Sequence, residues 1–177
     1  GEILQNTLSL HPDLDGVVSS AGYGRFDHLE NFSPEEILTF INTNLISHMM
    51  VARMVLPHLK TKQKGDIIFI GSEASLKGAD KASLYSAAKF GLRGFAQSIR
   101  QETARRHVRV SLVNPGMVRT PFFDKMNFRP GDDQSNAIEP EDIAEAIITI
   151  LRLRAETVIE EINMMPLKKV INFDPNE

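Results

Sequence analysis

Residues 65–113 read GDIIFIGSEASLKGADKASLYSAAKFGLRGFAQSIRQETARRHVRVSLV, and three patterns follow one another in that stretch. Gly65 to Ile70 is a β-branched and aromatic run, the composition of a buried strand. Ser83 to Arg106 is rich in Ala, Leu and Phe at helical spacing, and Val108 to Val113 is again a strand pattern. Strand, long helix and strand in that order predict a parallel pair joined by a right-handed crossover.

The alternation extends both ways. Upstream, Leu14 to Ser20 is a short apolar run closed by the turn Ala21-Gly22-Tyr23-Gly24. Ser33-Pro34-Glu35-Glu36 then supplies a capping Ser, a Pro at the first helical position and a Glu at the third, opening a helix that continues to about Leu59. Downstream, Pro140 to about Arg152 is a helix that opens on acidic residues, and Thr157 to Met164 is a fourth strand. The fold class is therefore α/β, a doubly wound parallel sheet with flanking helices. No repeat or Pro/Gly/Ser linker divides the chain, so residues 1–177 read as one domain. The one long irregular stretch, Gly116 to Glu139, carries Phe122, Phe123, Met126 and Phe128. Such a loop either closes over something apolar or packs its aromatics beneath itself or against another subunit.

Composition excludes several classes of function. The 177 residues hold no Cys, which removes thiolate nucleophiles, cysteine redox chemistry and Cys-ligated zinc. The formal net charge of −3 offers no electrostatic footprint for nucleic acid. No apolar run approaches the roughly 20 residues that cross a bilayer, so no membrane partner is expected. The five His show neither HExxH spacing nor paired carboxylates, so no metal site is expected. The chain opens at Gly1 without a signal-peptide pattern, which gives a cytoplasmic expectation and marks the sequence as a possible fragment. The basic runs Lys60 to Lys64 and Arg105 to Arg109 read as solvated helix ends.

In doubly wound sheets ligands bind beyond the carboxyl ends of the strands. Four groups lie there: Ser20-Ala21-Gly22, Gly71-Ser72, Tyr85 with Lys89, and Asn114-Pro115-Gly116. Tyr85 and Lys89 are four residues apart and share one helix face. An ammonium beside a phenol favours phenolate and draws its pKa down from about 10, so that Tyr85 can exchange a proton with an alcohol. Ser72 can hydrogen-bond a substrate oxygen as charge develops on it. Taken one at a time, a Tyr and Lys at this spacing are ordinary surface residues and a Ser after a strand is an ordinary cap; their combination is what points to carbonyl and alcohol redox chemistry.

That combination, Gly71-Ser72, Tyr85-Ser-Ala-Ala-Lys89 and Asn114-Pro115-Gly116-Met117-Val118-Arg119-Thr120, resembles the short-chain dehydrogenase/reductase family over nearly the whole chain. The resemblance implies a Rossmann-like fold and a nicotinamide cofactor, NAD or NADP. It implies Ser72, Tyr85 and Lys89 as catalytic residues, with Asn44 holding a relay water; Asn42 is a near neighbour that competes for the last role, and either Asn could instead bond its own helix backbone. It also implies cofactor contacts from Ser20, Ala21 and Gly22, from Tyr85 and Lys89, and from Pro115, Gly116, Val118 and Thr120, the last offering its hydroxyl. Two Ser stand where the family's turn after the first of these strands has two Asn. The terminal stretch Val158 to Pro166 is similar to that of members acting on small hydroxy acids or simple carbonyl compounds.

The family's Gly-rich pyrophosphate turn is not found in these residues. Gly22-Tyr23-Gly24-Arg25-Phe26-Asp27 is excluded because Asp27 stands where the third glycine belongs. The resemblance thus implies a first βαβαβ half before Gly1, and an unpaired apolar edge at Leu14 to Ser20 unless that half or another chain covers it. It further implies a homodimer or homotetramer through helices 33–59 and 83–106. Met49, Val51, Met54 and Val55 on the first, with Phe90, Leu92, Phe95 and Ile99 on the second, either serve that contact or bury two sides of each helix within one subunit. Two functions remain: an oxidoreductase acting on a small-molecule carbonyl or alcohol, and a non-catalytic homologue retained as an interaction module.

Overall fold

Four strands lie parallel in the order β1 (Gly16–Ser19), β2 (Gly65–Ile70), β3 (Val108–Pro115) and β5 (Glu161–Met164). The computed structural model describes residues 2–173. Side chains alternate along each strand, and the alternation decides which helix covers which face. Ile67 and Phe69 of β2, with Val110 and Leu112 of β3, pack against Ala52, Val55 and Leu59 of helix α3 (Ser47–Lys62) and Leu92, Ala96 and Ile99 of helix α4 (Ser83–Thr103). Ile68 and Val113 point the other way, onto Ile150, Ile147 and Ile143 of helix α5 (Pro140–Arg152). This is the expected doubly wound α/β arrangement, with helices on both faces.

The helix expected over residues 33–59 is a run of three segments. Ser33 caps α2 (Pro34–Ile41) through a reciprocal capping box with Glu36, and a π-helical turn at Asn42–Ile46 leads into α3. A π turn inserts one residue without breaking the rod, so a hydrophobic period does not announce it. Val55, Leu92 and Ile99, three of the residues weighed for a subunit contact, lie in the core.

The strand expected from Leu14 begins at Gly16, and that expected from Thr157 begins at Glu161. Helix α1 (Glu2–Leu10), which the sequence reading passes over, sets Leu4 and Leu8 against the α3 side of the core. The stretch expected to be irregular, 116–139, contains a 3-10 turn at Pro121–Phe123 and strand β4 (Phe128–Pro130), antiparallel to β6 (Ile171–Phe173). Its neck is closed: Val118 bridges Ile138, the Arg119 N–H donates to the Ile138 carbonyl at 2.8 Å, and Arg119 pairs with Glu139 at 3.1 Å.

Arg109 is not a solvated helix end. It faces Asp66 across the β2–β3 pair, and its Nε and Nη2 donate to the two carboxylate oxygens at 2.7 and 3.0 Å. Its Nη1 donates to the carbonyls of Leu153 and Arg154 at 3.1 and 3.3 Å, beyond the end of α5. One guanidinium therefore fastens two strands to a helix terminus.

Strand β1 pairs with β2 alone among the described residues. Val17 packs against the core beside α3, whereas Val18, on the opposite face, is 44% exposed. No described helix is long and apolar enough to cross a membrane.

Candidate active site

Ser72 lies two residues past the end of β2, which puts it at the carboxyl edge of the sheet. Its backbone is extended, and its hydroxyl accepts a hydrogen bond from the Ala74 N–H at 3.2 Å, capping the 3-10 turn Glu73–Ser75. The Ser72 N–H donates to Ser75 Oγ and Asn114 Oδ1, both at 3.3 Å. Ser72 is thus a cap, as a serine after a strand commonly is, and it is also near enough to Tyr85 for its hydroxyl to favour the ionised phenol.

Tyr85 and Lys89 occupy the first turns of α4 and are both buried. The Lys89 Nζ lies 5.8 Å from the Tyr85 ring centroid and donates to the Ile70 carbonyl at 3.0 Å. Burial pulls Lys89 down to about 8. The phenol departs from expectation: burial raises its pKa above the usual value, Glu73 adds to the rise, and Ser72 opposes both. Desolvation of phenolate is the largest influence, and the neighbouring amine is drawn toward the end of β2.

Asn44 sits in the π turn and is fully buried. Its Nδ2 donates to the Phe40 carbonyl at 3.1 Å, and its Oδ1 accepts from the Tyr23 N–H at 3.0 Å. The amide therefore ties the turn after β1 to the helix, and of the two asparagines weighed, Asn44 is the one buried at the site. The bond to Phe40 is the helix-backbone bond weighed above, and its other end serves Tyr23, so the amide's partners are protein groups. A Cβ on Gly22 would lie 2.8 Å from Asn44 Oδ1, so the turn admits only glycine there.

Ser20, Ala21 and Gly22 are exposed at the end of β1. Pro115 is the buried last residue of β3, and Val118 takes part in the neck of the 116–139 loop. Thr120 uses its hydroxyl locally, accepting from the Phe122 N–H at 3.4 Å as the cap of the 3-10 turn. The space a Gly116 side chain would take is held by Pro166 and Met165, at 3.1 and 3.2 Å. Asn114, fully buried, donates to Asn163 Oδ1 at 2.9 Å and so links β3 to β5 while its oxygen holds the Ser72 N–H.

One buried residue of the site escapes sequence reasoning. His48, one turn beyond Asn44, has its Nδ1 2.6 Å from the hydroxyl of Ser19, the first of the two serines at the end of β1. Burial and, second, the Lys89 charge pull its pKa down to about 4, against a smaller opposing influence from the Ala21 backbone. The signal was available: a lone His four residues after a candidate Asn shares its helix face.

The profile of a family described as short chain dehydrogenase matches residues 2–130. A sepiapterin reductase of Chlorobaculum tepidum is 32% identical over 91% of this chain and 65% of its own length. An NADP-dependent 3-hydroxy acid dehydrogenase of Schizosaccharomyces pombe is 32% identical over 87% of this chain and 62% of its own. Among solved structures, an alcohol dehydrogenase of Thermococcus sibiricus complexed with 5-hydroxy-NADP superposes with a TM-score of 0.84 at 27% identity, covering 96% of this chain and 70% of that one. The chain thus spans less than two thirds of the length of these two curated relatives. With a profile matching most of its residues, and a parallel sheet whose carboxyl edge gathers a serine, a tyrosine and a lysine, the chain belongs to the short-chain dehydrogenase family.

Proposed function

We propose that the protein transfers a hydride between NAD or NADP and a small secondary alcohol or carbonyl compound, with Tyr85 as the proton donor and acceptor. The observation that carries this reading is the meeting of Ser72, Tyr85 and Lys89 at one strand end, with the Ser72 side chain near the phenol and the amine 5.8 Å from its ring. The residues fit a nicotinamide nucleotide in one testable respect. Lys89 is a buried amine with three donors, of which the Ile70 carbonyl takes one, and a ribose diol is suited to the others. Ser20 to Gly22, and the segment from Pro115 through Gly116 and Val118 to Thr120, would line the same nucleotide.

When bound, the dinucleotide supplies the hydride in reduction and accepts it in oxidation. In reduction the Tyr85 hydroxyl gives its proton to the substrate oxygen as the carbonyl carbon becomes tetrahedral, and the Ser72 hydroxyl donates a hydrogen bond to that oxygen. The raised pKa keeps the phenol in its donating form. The phenolate left behind is stabilised by Lys89, which at neutral pH still carries its proton. Asn44 contributes by holding the turn after β1 in place. In oxidation each transfer runs in reverse.

The test is cofactor oxidation by the full-length protein containing this chain, with NADH or NADPH and a panel of small carbonyl compounds. Tyr85→Phe should lower turnover by about 10²- to 10⁴-fold, the usual contribution of a positioned acid or base. No cofactor oxidation, or an unchanged rate in Tyr85→Phe, overturns the reading.

The same reading makes residues 1–177 the catalytic and oligomerisation portion of a longer cytoplasmic enzyme that pairs α3 and α4 with a second copy as a dimer or tetramer. Supporting it, a groove of about 640 Å³ between those helices is lined by Met49, Met50, Leu56, Phe95 and Ile99.

A further inference from the structure

Tyr85 stands among other rings. Phe26 lies 5.2 Å from it, Phe122 6.0 Å and Phe40 6.4 Å by centroid, at interplanar angles of 54°, 57° and 71°. Beyond these, Phe122 meets Phe123 at 5.1 Å, and Phe26 meets Phe128 at 5.2 Å. These tilted and edge-on arrangements are the ones aromatic quadrupoles favour.

The rings differ in freedom. Phe40 is fully buried and its carbonyl is bonded by Asn44, so it is a fixed wall. Phe122 is half-buried and belongs to the lid loop, 116–139. It reaches Tyr85 because residue 24 has no side chain: a Cβ there would lie 2.4 Å from the Met126 Cε and 2.6 Å from the Phe122 Cζ. Gly24 is thus a keyhole into which the lid seats two apolar side chains beside the phenol.

Resting on the hydride-transfer reading above, we infer that the substrate is a carbonyl compound bearing a flat aromatic group, which takes the place beside Tyr85 that Phe122 now occupies, against Phe26 and Phe40. The lid ring then closes over the aryl group instead of over the phenol. Phe26 is a specificity-determining residue in this arrangement, and the aryl group replaces one ring contact with another.

The experiment uses the full-length protein and two probes, an aryl methyl ketone and 3-oxobutanoate. Binding is measured by calorimetry and turnover by cofactor oxidation. The aryl ketone should bind at least about tenfold more tightly. Phe26→Leu should raise its KM by about three- to tenfold, the range expected for one lost aromatic contact, and raise the KM for 3-oxobutanoate by less, so that the aryl preference falls. Phe26→Tyr should restore the aryl preference, and thermal melting checks that each variant folds. Equal turnover of both probes overturns the inference while the hydride-transfer reading stands. Absence of cofactor oxidation with every carbonyl compound overturns that reading; calorimetry then still decides the aryl slot, and binding that shows no aryl preference, or that Phe26→Leu does not weaken, overturns it.

Discussion

His48 couples the turn after β1 to the interior, and its titration gives a readout on stability. An unfolded His titrates near 6.5, whereas this one is held neutral down to about 4. Between those values the unfolded chain binds the extra proton, so the stability contributed by neutral His48 is complete above pH 6.5 and is lost as pH falls toward 4. In His48→Leu that pH dependence disappears, so the stability gap between wild type and variant should narrow by roughly 2–3 kcal/mol from pH 6.5 to 4. Denaturant melts across that range measure it, and a constant gap would show that the imidazole is not held neutral. Ser72, Tyr85 and Lys89 were legible in the sequence because chemistry restricts the residue types and the helix sets their spacing. The Tyr23 partner of Asn44 and the Phe122 partner of Thr120 were not, since a side-chain amide or hydroxyl takes whichever backbone groups the fold brings within reach. The direction of the Tyr85 shift was hidden for a related reason: spacing reveals the neighbouring amine, and only packing reveals the burial that is the largest influence.

At the level of elements, the junction between β2 and β3 controls where Ser72 stands. A Cβ on Gly71 would lie 2.1 Å from Asn114 Oδ1, and that oxygen holds the Ser72 N–H. Gly71→Ala therefore displaces Asn114 and should cost about 1–3 kcal/mol, as overpacking of a filled site does, while lowering kcat more than it raises KM. A melting curve and steady-state kinetics on the same variant test this; an unchanged Tm and kcat would mean that the pin has slack. The long elements β2, β3, α4 and α5 were readable because their apolar residues recur with one period over many positions. Strands β4 and β6 are three residues each, too short to carry a period, and they are held by pairing with each other. The π turn is equally silent, because inserting a residue changes the phase of a helix and leaves its composition alone. Helix α1 was missed because only Leu4 and Leu8 face the core, while Ile3 is 86% exposed.

For the whole molecule, the sheet of the described residues ends at a strand with an unpaired edge and the exposed Val18 on the face away from α3. An edge of this kind recruits another strand. The expected outcome is that residues 1–177 alone associate beyond a dimer, and that a full-length chain with further strands beside β1 does not. Light scattering on both distinguishes these, and a monomeric 1–177 would remove the argument for a covering half. Met50→Glu, within the α3–α4 groove, should shift the full-length protein toward smaller assemblies without altering the active site. The lid belongs to this scale too, because β4 joins it to the far end of the described chain. Swinging it away from Tyr85 must either unzip the three-residue ladder with β6 or drag residues 171–173 along as ballast. Substrate entry and the fate of β6 are mechanically one event, so a tag or fusion placed beyond β6 acts as a load on the door.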